Sequence, residues 1–138
     1  LHDFQEVRKR GVPIVTINPL IERGMERFTN PQSPTEMLTL SETRISTQYL
    51  QVRAGADIAA LAGICKALIE WDDEAVASGG RRVLDADFIA HHTHGFEPYA
   101  AWLREQEWDA IEAASGLAAA DLRQAASTYA AAHHVIAL

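Results

Sequence analysis

The sequence contains one cysteine, Cys65, and no long hydrophobic run among its 138 residues. A single cysteine excludes a disulfide within the chain, a CxxC redox pair and an all-cysteine metal or iron–sulfur site. Without a run of about 20 apolar residues, no segment is long enough to span a bilayer. Basic residues are also few: 12 Lys and Arg stand against 19 Asp and Glu, and the net charge of −7 argues against a nucleic-acid-binding surface.

The composition changes partway along the chain. Alanine is absent before Ala54, and four of the five prolines lie in the first quarter. We therefore predict an α/β fold, an open Rossmann-like fragment with a parallel sheet, in which residues 1–57 form strands and turns and residues 58–138 are mostly helical. The chain begins with Leu inside a predicted helix and has no secretory signal, which indicates a fragment of a larger protein.

Two segments have the composition of strands. Val12–Ile17 is a β-branched run of the kind that lies buried in parallel sheets, and Ile45–Val52 alternates in polarity. Asp57 then begins the clearest helix of the chain. Its apolar residues repeat at helical spacing and predict one buried stripe made of Ile58, Leu61, Cys65, Leu68 and Ile69.

The rest of the chain predicts further helices. Asp85 caps a helix that runs to His92, and a short helix from Asp109 is stopped by Gly116. The segment 117–133 predicts another helix, with a buried face that includes Leu122, Ala125, Ala126, Tyr129 and Ala130. Residues 135–138 have the composition of a strand that is just beginning.

Ligands of open parallel sheets bind at the carboxyl ends of the strands. The first such place is the exit Ile17, Asn18, Pro19 and Leu20; the second is the turn from Arg53 through Gly55, Ala56 and Asp57. If the two strands are parallel neighbours, both places face one crevice. There Gly55 would let a ligand approach the backbone, and Asp57 could accept hydrogen bonds from the amino group of a base or pterin. Pattern alone favours the local alternatives, in which Asn18 and Gly55 are turn residues and Asp57 is a helix N-cap.

Other reactive side chains do not form a recognisable site. His91, His92 and His94 match no familiar metal-ligand spacing, and GxSxG, P-loop and HExxH motifs are absent. Cys65 and the three tryptophans are interpreted as packing residues. We therefore predict no catalytic residue and no metal ligand within these residues.

Four segments in a fixed order resemble a known family. They are Arg8–Pro19, Arg53–Leu61, Asp87–Glu97 and Ser115–Tyr129. Together they resemble the molybdopterin oxidoreductases, and most closely the formate-dehydrogenase-like α subunits. Asn18 departs from the family pattern, in which many members have Asp. The long insertion Asn30–Arg44 indicates a formate-dehydrogenase-like subgroup of unassigned substrate.

The resemblance implies a function for both turns. It implies that the chain holds one guanosine end of bis-molybdopterin guanine dinucleotide, the molybdenum cofactor. The residues it places against that cofactor are Ile17, Asn18, Pro19, Leu20, Gly55, Ala56 and Asp57. The molybdenum ligand, the catalytic residues and a possible 4Fe-4S cluster would lie elsewhere in the parent protein, so the fragment alone is expected to be catalytically inert.

The expected partners are the remainder of the same polypeptide and possible electron-transfer subunits, and the expected compartment is the cytoplasm. Two other hypotheses remain open from the residues alone. One is a stand-alone nucleotide-binding module. The other is a helical protein-interaction module with an exposed apolar patch around Trp102 and Trp108.

Overall fold

A computed structural model describes the whole chain from Leu1 to Leu138. It divides into two compact units, Leu1–Val52 and Arg53–Leu138. The first unit contains the short strands, and the second is built from helices. Residues 53–57, which the composition assigned to the first part, belong to the helical unit.

The first unit contains a parallel pair of strands. Its elements are α1 (His2–Lys9), β1 (Val15–Ile17), α2 (Arg23–Glu26), β2 (Arg27–Phe28), α3 (Pro34–Thr39), β3 (Thr43–Arg44) and β4 (Gln48–Leu50). Strands β1 and β4 pair in parallel, with Ile17 opposite Leu50. The mixed α/β class and the parallel pairing are therefore confirmed, and the Rossmann-like assignment stays a prediction.

Both strands of the parallel pair are shorter than predicted. Pro13 has no backbone N–H and cannot donate to the ladder, so pairing begins two residues later at Val15. Beside the pair, the hydroxyl groups of Thr16 in β1 and of Ser46, two residues before β4, form a buried hydrogen bond of 2.6 Å. A second, antiparallel pair of β2 and β3 brackets the insertion, and the sequence did not predict it.

The second unit packs its helices around the longest one. Its elements are α4 (Asp57–Ala77), α5 (Ala86–His92), α6 (Phe96–Glu105), α7 (Trp108–Ser115) and α8 (Ala119–Ala130). Helix α4 contacts α6, α7 and α8. The predicted cap is confirmed, because the Asp85 carboxylate accepts a hydrogen bond from the Phe88 N–H at 2.9 Å. The stop at Gly116 is also confirmed, with φ of 77° at that residue.

The predicted stripe of α4 is confirmed only in its second half, where Leu68 and Ile69 are buried and Cys65 is half-buried. Ile58 is 79% exposed and Leu61 is 52% exposed. The face that turns inward consists of Ala60, Ala62, Gly63, Lys66, Ala67, Leu68, Ile69 and Asp72. Small residues on this face let neighbouring helices approach closely. At Gly63, for example, an added Cβ would lie 2.6 Å from Leu122 Cδ1. The close approach of neighbouring helices, more than the hydrophobicity of single side chains, therefore determines which face of α4 is buried.

Two predictions near the end of the chain are wrong. Residues 135–138 form no strand and are exposed, because a strand needs a neighbouring strand to pair its backbone groups and none lies beside them. Tyr129 and Ala130 are exposed rather than buried, since they belong to the last, free turn of α8. Leu122, Ala125 and Ala126 are buried as predicted. None of the helices combines the length and apolar character needed to cross a membrane.

Asp72 organises the loop that follows α4. This carboxylate is 3% exposed and accepts hydrogen bonds from the N–H groups of Val83 at 2.9 Å and Leu84 at 3.0 Å. Arg82 completes the arrangement with an ion pair of 2.6 Å. The Arg82 guanidinium, together with the two backbone donors, holds the pKa of Asp72 below its ordinary value of 3.8.

We expect D72N to lower the free energy of unfolding at pH 7 by roughly 1 to 3 kcal/mol, since a charged acceptor is lost. Because the folded-state pKa is depressed, the carboxylate contributes fully above its ordinary value and loses its contribution as the pH falls through the folded-state pKa. Urea denaturation between pH 7 and pH 3 measures this. The wild-type and D72N stabilities should converge as the medium becomes acidic, and parallel pH curves would contradict the assignment.

Candidate cofactor-binding site

The first candidate segment leaves β1 beside the end of β4. The Asn18 N–H donates to the Leu50 carbonyl at 3.1 Å, so the chain departs at the carboxyl edge of both strands. The Asn18 side chain then serves its own turn: its Oδ1 accepts from the Leu20 N–H at 2.9 Å, and its Nδ2 donates to Glu22 Oε1 at 3.0 Å. This is the local turn role. One amide hydrogen and one oxygen lone pair of Asn18 remain for a ligand.

Side chains from the β4 segment hold this exit loop in place. The Tyr49 hydroxyl donates to the Leu20 carbonyl at 2.6 Å and accepts from the Glu22 N–H at 3.2 Å. Gln51 Nε2 donates to the Pro19 carbonyl at 3.2 Å. Sequence reasoning missed both residues, although their alternate positions along the second extended run place them on one face. The exit from β1 is therefore a defined loop.

The second candidate segment is a tight turn at the start of the helical unit. The Ala56 N–H donates to the Arg53 carbonyl at 3.0 Å. Gly55 has φ of +79°, a conformation that favours glycine, and no atom lies within 4 Å of the position that a Cβ would occupy. The backbone at Gly55 is therefore open to close approach by a ligand.

Helix α4 begins without a side-chain cap. Its N-cap residue is Ala56, and Asp57 occupies the first helical position, so the alternative that Asp57 is an N-cap is wrong. The geometry of a helix leaves its first N–H groups without intrahelical partners. The Asp57 side chain is exposed and makes no hydrogen bond or ion pair within the chain. The turn therefore offers both hydrogen-bond donors and a carboxylate acceptor.

The same turn opens onto an apolar groove of about 510 Å³. Its lining combines Gly55 and Ala56 of the turn with side chains of α4, α6 and α7, including Ile58, Trp102 and Ile111, and with Gln106 directly after α6. No charged side chain lines this groove. The groove therefore suits an apolar or planar group more than an anion.

Trp102 was interpreted as a packing residue, but it is 42% exposed and lines this groove. It stacks on Tyr99 with 6.0 Å between ring centroids. Gln106 Nε2 donates to the Trp102 carbonyl at 3.0 Å, which leaves the Gln106 amide oxygen as an acceptor. The helical spacing of these residues could not reveal this face, because it depends on where α7 lies.

Cys65 lies next to the core and not at the turn. It packs half-buried against a cluster that includes Ala62, Ile69 and Leu103. Burial, with a smaller effect of the neighbouring Cys65, raises the pKa of Tyr99 to about 12, so the phenol is neutral at physiological pH. No three side chains of His, Cys, Asp or Glu are placed to hold a metal ion.

A separate hollow of about 230 Å³ lies in the first unit. Its lining is polar and includes Arg27 and Arg44, which stand opposite each other on β2 and β3. Residues 17–20 do not line it. Tyr49, whose hydroxyl hydrogen-bonds the exit loop, also lines this hollow, so the hollow and the loop share one supporting residue.

No protein-family model matches the chain. The chain is 48% identical over 136 residues to protein YdeP of Escherichia coli, a match that covers 99% of this chain and 18% of YdeP. It is 29% identical over 122 residues to the Mycobacterium tuberculosis protein named Uncharacterized oxidoreductase Rv2900c, covering 88% of this chain and 15% of that protein. Proteins named oxidoreductases are thus among its relatives.

The fold also occurs in a solved structure. Acetylene hydratase from Pelobacter acetylenicus superposes with a TM-score of 0.60 at 19% identity, over 94% of this chain and 14% of that enzyme. At this identity the likeness shows a shared fold. This chain therefore spans less than a fifth of the length of each of these three proteins.

Proposed function

We propose that the chain is a cofactor-binding part of a molybdopterin-dependent oxidoreductase of the formate-dehydrogenase-like type, and that it holds one guanosine end of bis-molybdopterin guanine dinucleotide. The observation that carries this proposal is the turn before α4. There an open glycine, uncapped helix N–H groups and an unpartnered carboxylate lie together. These are the features that a purine edge and a ribose phosphate require of a protein.

The residues of the turn have separate roles in this proposal. The Asp57 carboxylate accepts hydrogen bonds from the amino group and ring N–H of guanine. Gly55 allows the ligand to lie against the backbone, and the N–H groups that open α4 donate to its oxygens. When bound, the cofactor supplies two-electron transfer at molybdenum, while the protein binds and orients it.

The β1 exit has a second, independent role. Asn18 retains one amide hydrogen and one lone pair after forming its turn, and these serve a base edge or a ribose hydroxyl. Ile17, Pro19 and Leu20 supply apolar contacts around that polar group. Support for a role in cofactor binding comes from the position of the loop at the carboxyl edge of a parallel strand pair.

Two further observations support the enzyme class. Relatives that match most of this chain are named oxidoreductases. The four segments that resemble molybdopterin oxidoreductases also occur in family order. Under this proposal the catalytic residues, the molybdenum ligand and any 4Fe-4S cluster belong to other parts of the protein. The remaining polypeptide and electron-transfer subunits are its partners, and the cytoplasm is the predicted compartment.

We expect the D57A substitution in the full-length protein to lower the affinity for the cofactor about 10- to 100-fold, because a charged hydrogen-bond acceptor is lost. The measurement is the GMP and pterin released per polypeptide after denaturation. Asp109 provides a matched control, since it is an exposed carboxylate in the first turn of α7. D109A should retain the cofactor, and equal loss in both variants would argue against a specific role for Asp57.

The interaction-module alternative has a specific observation in its favour. Ile58, Leu61, Tyr99 and Trp102 are all large apolar side chains with substantial exposure in the helical unit. That alternative predicts that D57A leaves cofactor content unchanged while W102A weakens an assembly. The nucleotide-module alternative predicts instead saturable binding of free GMP that D57A abolishes. The same set of variants therefore separates the three functions.

A further inference from the structure

Arg53 begins the helical unit and hydrogen-bonds the far end of another helix. Its N–H donates to the Ser115 carbonyl at 2.8 Å, and its guanidinium Nη1 donates to the Ala113 carbonyl. Both carbonyls belong to the last turn of α7, where helix geometry leaves them without intrahelical partners. Arg53 thus provides two of the hydrogen-bond donors that cap the C-terminus of α7.

Gly116 supplies the space in which the Arg53 side chain lies. A Cβ at Gly116 would be 2.8 Å from Arg53 Cγ, 3.2 Å from Nε and 3.3 Å from Cδ. Gly116 also has φ of +77°, where a side chain is strained whatever the space. Any larger residue at position 116 must therefore displace the aliphatic part of Arg53, and with it the contact to Ala113.

The same Arg53 also forms the first hydrogen bond of the candidate turn. Its carbonyl accepts from the Ala56 N–H at 3.0 Å, one residue before α4 begins. The turn contains no side-chain cap and no side-chain hydrogen bond of its own. Its attachment to the C-terminus of α7 therefore passes through Arg53.

We propose that Arg53 and Gly116 are positioning residues that anchor the Gly55–Asp57 turn to the end of α7. This inference rests on the proposed function, because it takes the Gly55–Asp57 turn to be the part of the chain that binds the cofactor. It names two residues about 60 positions apart that act as one unit without touching the ligand. The side chain of Arg53 is the anchor, and the missing Cβ of Gly116 is the space that the anchor requires.

The test compares the full-length protein with its variants R53A, R53K, G116A and R53A/G116A. Amide hydrogen exchange at Ala56 reports on the turn directly, and cofactor content per polypeptide reports on function. R53A removes the guanidinium bond to Ala113 and keeps the two backbone bonds of residue 53. We expect it to speed exchange at Ala56 and to lower cofactor retention, each roughly tenfold, the size expected for losing one charged hydrogen bond. R53K should recover part of both, because an ammonium group can still donate to the Ala113 carbonyl.

The double variant isolates the steric link between the two residues. G116A should speed exchange at Ala56 in the presence of Arg53, and it should add little once Arg53 is alanine. G95A is the matched control for backbone strain, because Gly95 has φ of +75° but no atom within 4 Å of a Cβ position. G95A should therefore leave exchange at Ala56 unchanged.

Two results would overturn the inference, and they differ from failure of the proposed function. If G116A has the same effect with and without Arg53, the two residues are not coupled. If R53A leaves cofactor content unchanged while D57A lowers it, the anchor has no positioning role although the proposed site stands. If neither R53A nor D57A lowers cofactor content, the proposed site itself fails, and with it the positioning role.

Discussion

Replacing Glu70 with alanine is expected to lower the free energy of unfolding of the chain by about 3 kcal/mol, because it leaves a buried ammonium group without its counter-charge. Glu70 accepts from Lys66 Nζ at 3.0 Å, from Trp108 Nε1 at 3.1 Å and from Arg123 Nη2 at 2.8 Å. Lys66 is 6% exposed, and no other carboxylate pairs with it. The carboxylate therefore links α4, α7 and α8.

The surroundings of Glu70 explain the size of this effect. Lys66 also donates to the Leu103 carbonyl at 3.2 Å, which fixes its ammonium group inside the helical core. The Arg123 guanidinium lies 4.3 Å from the centroid of the Trp108 ring. Burial raises the pKa of Glu70, but the hydrogen bonds from Lys66 and Trp108 and the nearby cations outweigh it and hold the pKa below its ordinary value of 4.5.

Urea denaturation at pH 7 measures the effect. E70Q should lower the free energy of unfolding less than E70A does. Its amide oxygen still accepts a hydrogen bond from Trp108, although it carries no charge. E74A is the matched control, because Glu74 is an exposed carboxylate one turn further along the same helix. The depressed pKa means that the contribution of Glu70 is present above its ordinary value and declines as the pH falls below it. An E70A stability equal to that of E74A would contradict the buried-pair interpretation.

The second large effect is expected at Gly63, where α4 meets α7 and α8. A Cβ there would lie 2.6 Å from Leu122 Cδ1 and 3.0 Å from Ile111 Cγ2. Both partners are buried core residues with little room to move. Overpacking of this kind lowers the free energy of unfolding by about 1 to 3 kcal/mol. Because G63V introduces a branched side chain, we expect a loss near the upper end of that range, about 3 kcal/mol.

Two comparisons separate this steric cost from the general effect of replacing glycine. Gly80 lies outside the core, and a Cβ there would meet its nearest atom, Ser78 Oγ, at 3.4 Å. G80V should therefore cost much less than G63V in the same denaturation measurement. In an L122A background the G63V change should also cost less, because the closest atom has been removed. An unchanged cost in that background would show that Leu122 is not the obstacle.

Local backbone chemistry made several elements predictable from the residues alone. The cap at Asp85 and the stop at Gly116 each depend on one residue and its immediate neighbours. A carboxylate that accepts from a backbone N–H three residues on, or a glycine with positive φ, needs no distant contact. The start of α4 at Asp57 was also predicted, although no side chain caps that helix.

The candidate site was predictable only in outline. Residues 17–20 and 55–57 were selected because they follow extended runs, and both segments do form defined turns. The side chains that hold those turns, Tyr49 on one and Arg53 on the other, were not assigned that role. Their hydrogen bonds reach across 29 and 60 positions of sequence, and no periodicity within a window of the chain reports on such contacts.

The sequence by itself determined the start of α4, the limits of α5 and the end of α7, together with the α/β class and the absence of any internal disulfide. The tertiary structure alone decided which face of α4 is buried. Hydrophobic spacing favoured Ile58 and Leu61, but the buried face carries Ala60, Gly63 and Ala67 instead, and at Gly63 the packing leaves no room for a side chain. Burial is a property of the partner as well as of the helix, because the free energy gained depends on how closely two surfaces meet. Tertiary packing also left Trp102 exposed on a groove and placed the Lys66 ammonium group against Glu70 in the helical core.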